Sequence, residues 1–318
     1  MTAATRPGKA LLLHEVGLRD GLQMESQVVP LEKKAAWLSG LLESGIDIIQ
    51  VGSFVHPVKV PQMADTDELF RRFMADKKPA PKGGGKAAAI LSGLVLNEKG
   101  LERGLACGVE MFCLGASASE THSRKNTGMG TDEAVARIIP AAKAALAAGK
   151  KVQVSVQSAF GCGFEGPIPE ERVLKMVRAY LEAGLLNISL ADTAGHAHPA
   201  QAERLFGAVL ALAPGIECTC HFHNTYALGM ANIFAARRAG VTSFETSFAG
   251  LGGCPFTKTA AGNVATEDFV HALQLEGLRK DVSLDRLLEV ARDAAEHFGR
   301  DMQGFVYKTG PISVKTAV

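Results

Sequence analysis

The sequence predicts an α/β protein built as a (β/α)8 (TIM) barrel with an additional C-terminal helix, and three observations carry that prediction. Short apolar runs rich in β-branched residues alternate along the chain with segments of helical period, which is the signature of a parallel sheet. Eight such runs fall within about 270 residues, the number and size expected of a closed barrel. The competing open, doubly wound sheet needs a glycine-rich phosphate turn after its first strand, and EVGLRDGLQ (15–23) lacks the GxGxxG spacing.

The elements follow in order. ALLLHEV (10–16) is the first strand and LEKKAAWLSGLLESG (31–45) the first helix. IDIIQVGSF (46–54), AAAILSGLVL (87–96) and VEMFCLGA (109–116) are the next three strands, with NEKGLERGLACG (97–108) a helix between the last two. TDEAVARIIPAAKAALAAG (131–149) leads into the strand KVQVSVQSA (151–159), and PEERVLKMVRAYLEAG (169–184) into LNISLADT (186–193). PAQAERLFGAVLALAPG (199–215), IECTCHFH (216–223), TYALGMANIFAARRAG (225–240) and VTSFETSFAG (241–250) complete the alternation. Most of the helical segments end in glycine, which accepts the left-handed conformation past a helix C-terminus. VSLDRLLEVARDAAEHFG (282–299) is the additional helix, so residues 1–280 form the catalytic barrel and 281–318 a helix and loose tail packed on it. MADKKPAPKGGGKAAA (74–89), rich in Lys, Pro and Gly, is expected to be a solvated loop on the face opposite the site.

The composition narrows the function classes. With 47% hydrophobic and 21% charged residues and a formal net charge of +1, the chain is globular. It carries no electrostatic footprint for nucleic acid or a membrane surface. No apolar run reaches the roughly 18 residues needed to span a bilayer, and MTAATRPGKALLLHEVG lacks a signal-peptide core. Cytoplasmic location is the default expectation. The six cysteines (107, 113, 162, 218, 220 and 254) are too sparse for a disulfide scaffold.

In a barrel, the polar residues at strand ends meet at one mouth. In CHFHNTY (220–226), His221 and His223 share one face of the seventh strand while Cys218 and Cys220 face away, which disfavours a zinc–cysteine site. The histidines are either packed and hydrogen-bonded or two ligands of one metal, with Asp20 able to supply the carboxylate from the first strand's end. A mixed N/O set of this kind suits Mg2+, Mn2+, Co2+ or Zn2+. Arg19 either offers a fork of donors to an oxyanion or pairs with Asp20 or Glu15. Glu15, Gln23, Gln50, Ser53, Gln157, Ser158, Asp192, Thr193 and Asn224 add polar groups at the same ends. GLGGCPFTKTAAGN (250–263) is glycine-rich, with Cys254 at its tip and Asn263 at its far end. Such a loop can close over a mouth and deliver a proton, or carry an ordinary surface thiol. Arg124, Lys125 and Asn126 are candidate phosphate contacts, with plain solvation the simpler reading.

Taken together, EVGLRDGLQ, SFVHPVKVPQM (53–63), GASASETHSRKN (115–126), FGCGFEGPI (160–168), LADTAG (190–195), CHFHNTY and GLGGCPFTKTAAGNVATED (250–268) resemble the 3-hydroxy-3-methylglutaryl-CoA lyases. They occur in order over nearly the whole chain, and the last stretch is the most specific. The resemblance implies a carbon–carbon lyase that cleaves a 3-hydroxyacyl-CoA by a retro-Claisen reaction, in a (β/α)8 barrel, as a homodimer with Mg2+ or Mn2+. It implies that Asp20, His221, His223 and Asn263 hold the metal, that Arg19 holds the thioester oxygen, and that Cys254 transfers a proton. Catalytic roles then fall to Arg19, Asp20, His221 and Cys254, and contacts to the acyl-CoA to Gln23, Ser53, Lys125, Asn126 and Thr193. Leu18, Gln50, Asn224 and Phe256 depart from the Pro, Glu, Asp and Tyr usual in that family, which leaves (R)-citramalyl-CoA as an alternative substrate. Two other readings compete: a synthase condensing with an α-keto acid, and a non-catalytic metal- or CoA-binding barrel. The synthases usually carry a large regulatory domain, and only about 50 residues follow Asp268.

Overall fold

A computed structural model describes residues 11–75, 77, 88–253 and 262–312. Its eight strands are β1 (Leu12–Glu15), β2 (Ile48–Ser53), β3 (Ile90–Leu94), β4 (Met111–Ser117), β5 (Lys151–Gln157), β6 (Asn187–Asp192), β7 (Glu217–Phe222) and β8 (Ser243–Thr246). All neighbours pair in parallel, and β8 closes on β1 to complete the barrel. The helices are α1 (Leu31–Ser44), α2 (Thr66–Ala75), α3 (Glu98–Ala106), α4 (Glu120–Thr127), α5 (Thr131–Ala147), α6 (Glu170–Glu182), α7 (Pro199–Leu210), α8 (Gly229–Ala239), α9 (Thr266–Leu275), α10 (Leu284–Phe298) and α11 (Val306–Thr309). No helix among the described residues is long and apolar enough to cross a membrane.

The local chemistry explains the boundaries. Gly45, Gly240 and Gly299 sit just past α1, α8 and α10 with positive φ and end them. Asn97 opens α3 by accepting the Gly100 N–H (3.0 Å). β2 and β4 are buried along their whole length, as expected of strands covered on both faces.

Four helices absent from the sequence-based expectations are α2, α4, α9 and the short α11. α4 is polar on nearly all sides, so no apolar period betrays it; Ser119 starts it by accepting the His122 N–H (3.1 Å). The Lys/Pro/Gly stretch begins inside α2 at Met74 and Ala75, and most of it lies outside the described residues. The segment after α10 is not loose throughout. The Asp268 carboxylate accepts the N–H groups of Phe305 and Val306 (3.0 and 2.8 Å), which ties the start of α11 to α9.

The larger core lies between the strands and the helices, where Phe222 packs on Phe160 and Phe206 at ring distances of 5.3 and 6.2 Å. The lumen is different. Side chains from non-adjacent strands meet only there, and several of those contacts are polar. His14 Nε2 of β1 lies 2.9 Å from Ser92 Oγ of β3, and Gln153 of β5 donates to Thr219 Oγ1 of β7 (2.9 Å). Ile48, Met111 and Cys113 form a small separate apolar cluster. On the outside, α10 lies against α1. Trp37 of α1 stands between His297 and Phe248, each at 5.5 Å between ring centres, and Phe248 begins the turn that leads to Gly252 and Gly253.

Candidate active site

β1 gives way to a single π-helical turn, Gly17–Gly21, in which the Gly21 N–H reaches back to the Val16 carbonyl (3.3 Å). Such a turn carries one residue more than an α-turn and is frequent at functional sites. It carries Arg19 and Asp20, whose side chains are only 14% and 19% exposed, so their pair is screened far less than a surface one. Arg19 Nη1 lies 2.6 Å from Asp20 Oδ1, and its Nε donates to Gln50 Oε1 on β2. Burial opposes charge on Asp20, but Arg19 and the two neighbouring histidines outweigh it and hold the carboxyl well below its ordinary value.

His221 and His223 lie on one face at the end of β7, and His223 forms an isolated antiparallel bridge with Asn263. Each imidazole is fixed from behind. His221 Nδ1 is 2.9 Å from Glu245 Oε2, and His223 Nδ1 is 3.0 Å from the Thr193 carbonyl oxygen. A carbonyl and a carboxylate accept hydrogen bonds, so both Nδ1 atoms donate, and each ring in its neutral form presents a bare Nε2. Those two atoms are 3.2 Å apart, and Asp20 Oδ2 lies 3.8 Å from one and 3.5 Å from the other.

Asn263 completes the group. Its Nδ2 donates to Asp20 Oδ2 (2.8 Å) and to the Leu251 carbonyl (3.1 Å), while its buried Oδ1 has no hydrogen-bond partner. One ligand atom each from Asp20, His221 and His223 fit within 4.8 Å of one another. Two nitrogen lone pairs and a carboxylate oxygen lie close together, the Asn263 amide adjoins them through Asp20, and a divalent cation is what such a donor set fits. Without one, a proton on His221 relieves part of the crowding. Burial disfavours that proton, but Glu245 and Asp20 prevail and raise the pKa.

The ends of the 250–263 loop are held close to this group. Gly252 has φ +112°, and a Cβ there would lie 2.6 Å from Asn263 Nδ2; at Gly262 a Cβ would lie 1.7 Å from the Gly250 carbonyl oxygen. Only glycine fits either position. Cys254 and Phe256 lie outside the described residues.

The remaining expected site residues divide. Ser53 ends β2 buried, its Oγ without a partner, and Gln23 is half-buried just past the π-helical turn. The Thr193 hydroxyl accepts the Ser158 N–H (2.9 Å), so Thr193 supports the site through its carbonyl. Lys125 and Asn126 are exposed on α4, outside the buried group, with Lys125 Nζ 5.0 Å from the Phe164 ring centre. Three strand-end residues expected at the mouth are engaged elsewhere. Glu15 accepts the N–H groups of Gly17 and Phe248 and the Thr266 hydroxyl; Asp192 accepts those of His196 and Ala197 (2.8 and 3.0 Å). Asn224 Oδ1 accepts the Gly229 N–H at the start of α8 (3.0 Å). Two residues the sequence reading passed over, His14 and Glu245, line the lumen beneath the histidines. Strand alternation was the available signal: His221, not its neighbours, shares a register row with Glu245.

Comparison with known proteins gives the same outline. The HMGL-like family model matches residues 10–294. The hydroxymethylglutaryl-CoA lyase YngG of Bacillus subtilis is 35% identical over 294 residues, 92% of this chain and 95% of that protein. The (R)-citramalyl-CoA lyase of Chloroflexus aurantiacus is 34% identical over 310 residues, 96% of each chain. An HMG-CoA lyase from Acinetobacter baumannii, solved in complex with coenzyme A and 3-methylmalate, superimposes with a TM-score of 0.85 at 34% identity, covering 97% of each chain.

Proposed function

The chain belongs to the HMGL-like family, and on that premise we propose that it is a metal-dependent carbon–carbon lyase. Its substrate is 3-hydroxy-3-methylglutaryl-CoA or a close 3-hydroxyacyl-CoA, cleaved to acetyl-CoA and a keto acid. The observation that carries the reading is the convergence of Asp20, His221 and His223, with the Arg19 guanidinium 2.6 Å from the shared carboxylate. Asp20, His221, His223 and Asn263 hold a divalent cation, with Mg2+ or Mn2+ favoured by two oxygen donors among four. When bound, the cation supplies Lewis acidity to a coordinated hydroxyl.

The chain's own residues then divide the work. Asp20 takes the proton of the 3-hydroxyl through a carboxylate oxygen, while His221, its Nδ1 donating to Glu245 and its Nε2 turned to the cation, orients the site as a ligand. The O–H electron pair forms the carbonyl of the keto product, the C2–C3 bond breaks, and its electrons pass to the thioester oxygen as an enolate. Arg19 holds that oxygen by charge and hydrogen bonding; Gln50 and Asp20 aim the guanidinium beforehand. Cys254 returns a proton to C2, giving acetyl-CoA. Ser53 contributes a hydroxyl at the mouth, Thr193 steadies His223, and Lys125 and Asn126 meet the CoA phosphates at the rim. A homodimer completes the reading, on family resemblance alone.

The citramalyl-CoA alternative is kept by a relative of 34% identity, against 35% for the hydroxymethylglutaryl-CoA lyase, and of wider coverage. Acetyl-CoA release from both thioesters, measured before and after EDTA and with Mg2+ or Mn2+ restored, tests the assignment. Release from one of them, abolished by chelation and restored by metal, supports it. No release from either with metal present overturns it, and undiminished release after full chelation overturns the metal requirement.

A further inference from the structure

We propose that Glu245 is a positioning residue that fixes which nitrogen of His221 faces the cation, with His14 behind it. The inference rests on the metal reading above. Its first support is the register. His221 pairs with Glu245 across β7 and β8, and Glu245 pairs with His14 across β8 and β1, so the three side chains form one row across the lumen wall. Its second is burial: all three are almost completely removed from solvent.

Its third support is connectivity. Glu245 Oε2 meets His221 Nδ1 at 2.9 Å, and Oε1 lies 3.4 Å from His14 Nδ1. His14 Nε2 is anchored in turn at 2.9 Å from Ser92 Oγ. A carboxylate taken out of water is costly unless it is paired, and among the described residues these two imidazoles are the pairing groups that meet Glu245. Its position behind His221 keeps it from touching substrate.

A carboxylate on Nδ1 does two things for a ligating imidazole. It fixes the tautomer with the proton on Nδ1, and it makes Nε2 a stronger donor; loss of such a partner typically costs 10- to 100-fold in metal affinity. His223 is oriented by a neutral carbonyl instead, so the two histidines are unequal: His221 is the stronger donor and Glu245 the source of the difference.

A double-mutant cycle in Mn2+ binding, read by electron paramagnetic resonance of free Mn2+, tests this. Glu245→Gln and Glu245→Leu should each weaken Mn2+ binding about 10- to 100-fold in the wild-type background. In a His221→Ala background the same changes should cost less than about threefold, because the residue through which Glu245 acts is gone. An equal loss in both backgrounds, or none in the wild type, overturns the proposal. If the Leu variant does not fold, the near-isosteric Gln variant decides. Absence of Mn2+ binding by the wild-type protein would instead overturn the metal reading beneath it.

Discussion

Glu267 offers a test that needs no substrate. It is fully buried near the start of α9, one oxygen accepting the Ala249 N–H (3.0 Å) and the other without a hydrogen-bond partner. Burial, then the like charges of Asp268 and Glu15, raise its pKa from 4.5 to about 8. The folded protein therefore keeps a proton there that the unfolded chain releases near pH 4.5. Stability falls as pH rises through the window from 4.5 to 8, because the folded state binds the extra proton throughout it. Full ionisation costs about 5 kcal/mol as an upper bound. Glu267→Gln removes the titration and keeps an acceptor for the Ala249 N–H. Urea unfolding of both proteins between pH 5 and 9 should show the variant gaining on the wild type by up to about 1.4 kcal/mol per pH unit inside the window. Glu15, itself raised to about 7, titrates in both proteins and largely cancels in the difference. A difference that does not change with pH would refute the buried protonated carboxyl.

Other outcomes follow from the site. Arg19→Ala should lower kcat about 10²- to 10³-fold with metal content unchanged by elemental analysis; joint loss would make Arg19 structural. His221→Ala should weaken divalent-cation binding so that little metal is retained through purification, while binding stays measurable at millimolar Mn2+; full retention would remove His221 from the ligand set. Gly252→Ala should cost about 1–3 kcal/mol by strain at φ +112° and lower activity by displacing Asn263; unchanged unfolding midpoints would refute the close packing. Cys254→Ser should slow exchange of the acetyl-CoA C2 protons with solvent while leaving Mn2+ affinity intact, and an unaltered exchange rate would take the proton transfer from Cys254.

Much of this architecture was legible because strand and helix periods differ and the alternation repeats eight times. The pairing of Asp20 with His221 and His223 was also legible, since each stands at or just past the end of its strand. What escaped had no local signal. α4 lacks an apolar face, and α2 runs directly into a Gly-, Lys- and Pro-rich stretch whose composition is that of a loop. Glu15 and Asp192 read as mouth residues, yet backbone N–H groups a few residues on or across the seam claim their carboxylates. His14 and Glu245 were hidden for the opposite reason: their meaning lies in register across the closed sheet, which no single strand reveals.

The contact between Asn263 and Asp20 joins residues 243 positions apart, across the seam where the last strand meets the first. Ribosomal synthesis delivers those partners at opposite ends of its run, and every intervening crossover must be in place before they touch. On the proposed ligand set, metal capture would therefore come late in maturation. A nascent or clipped chain that stops before β8 lacks Asn263, so under the proposed ligand set uptake of the ion would double as a report that the ring has shut.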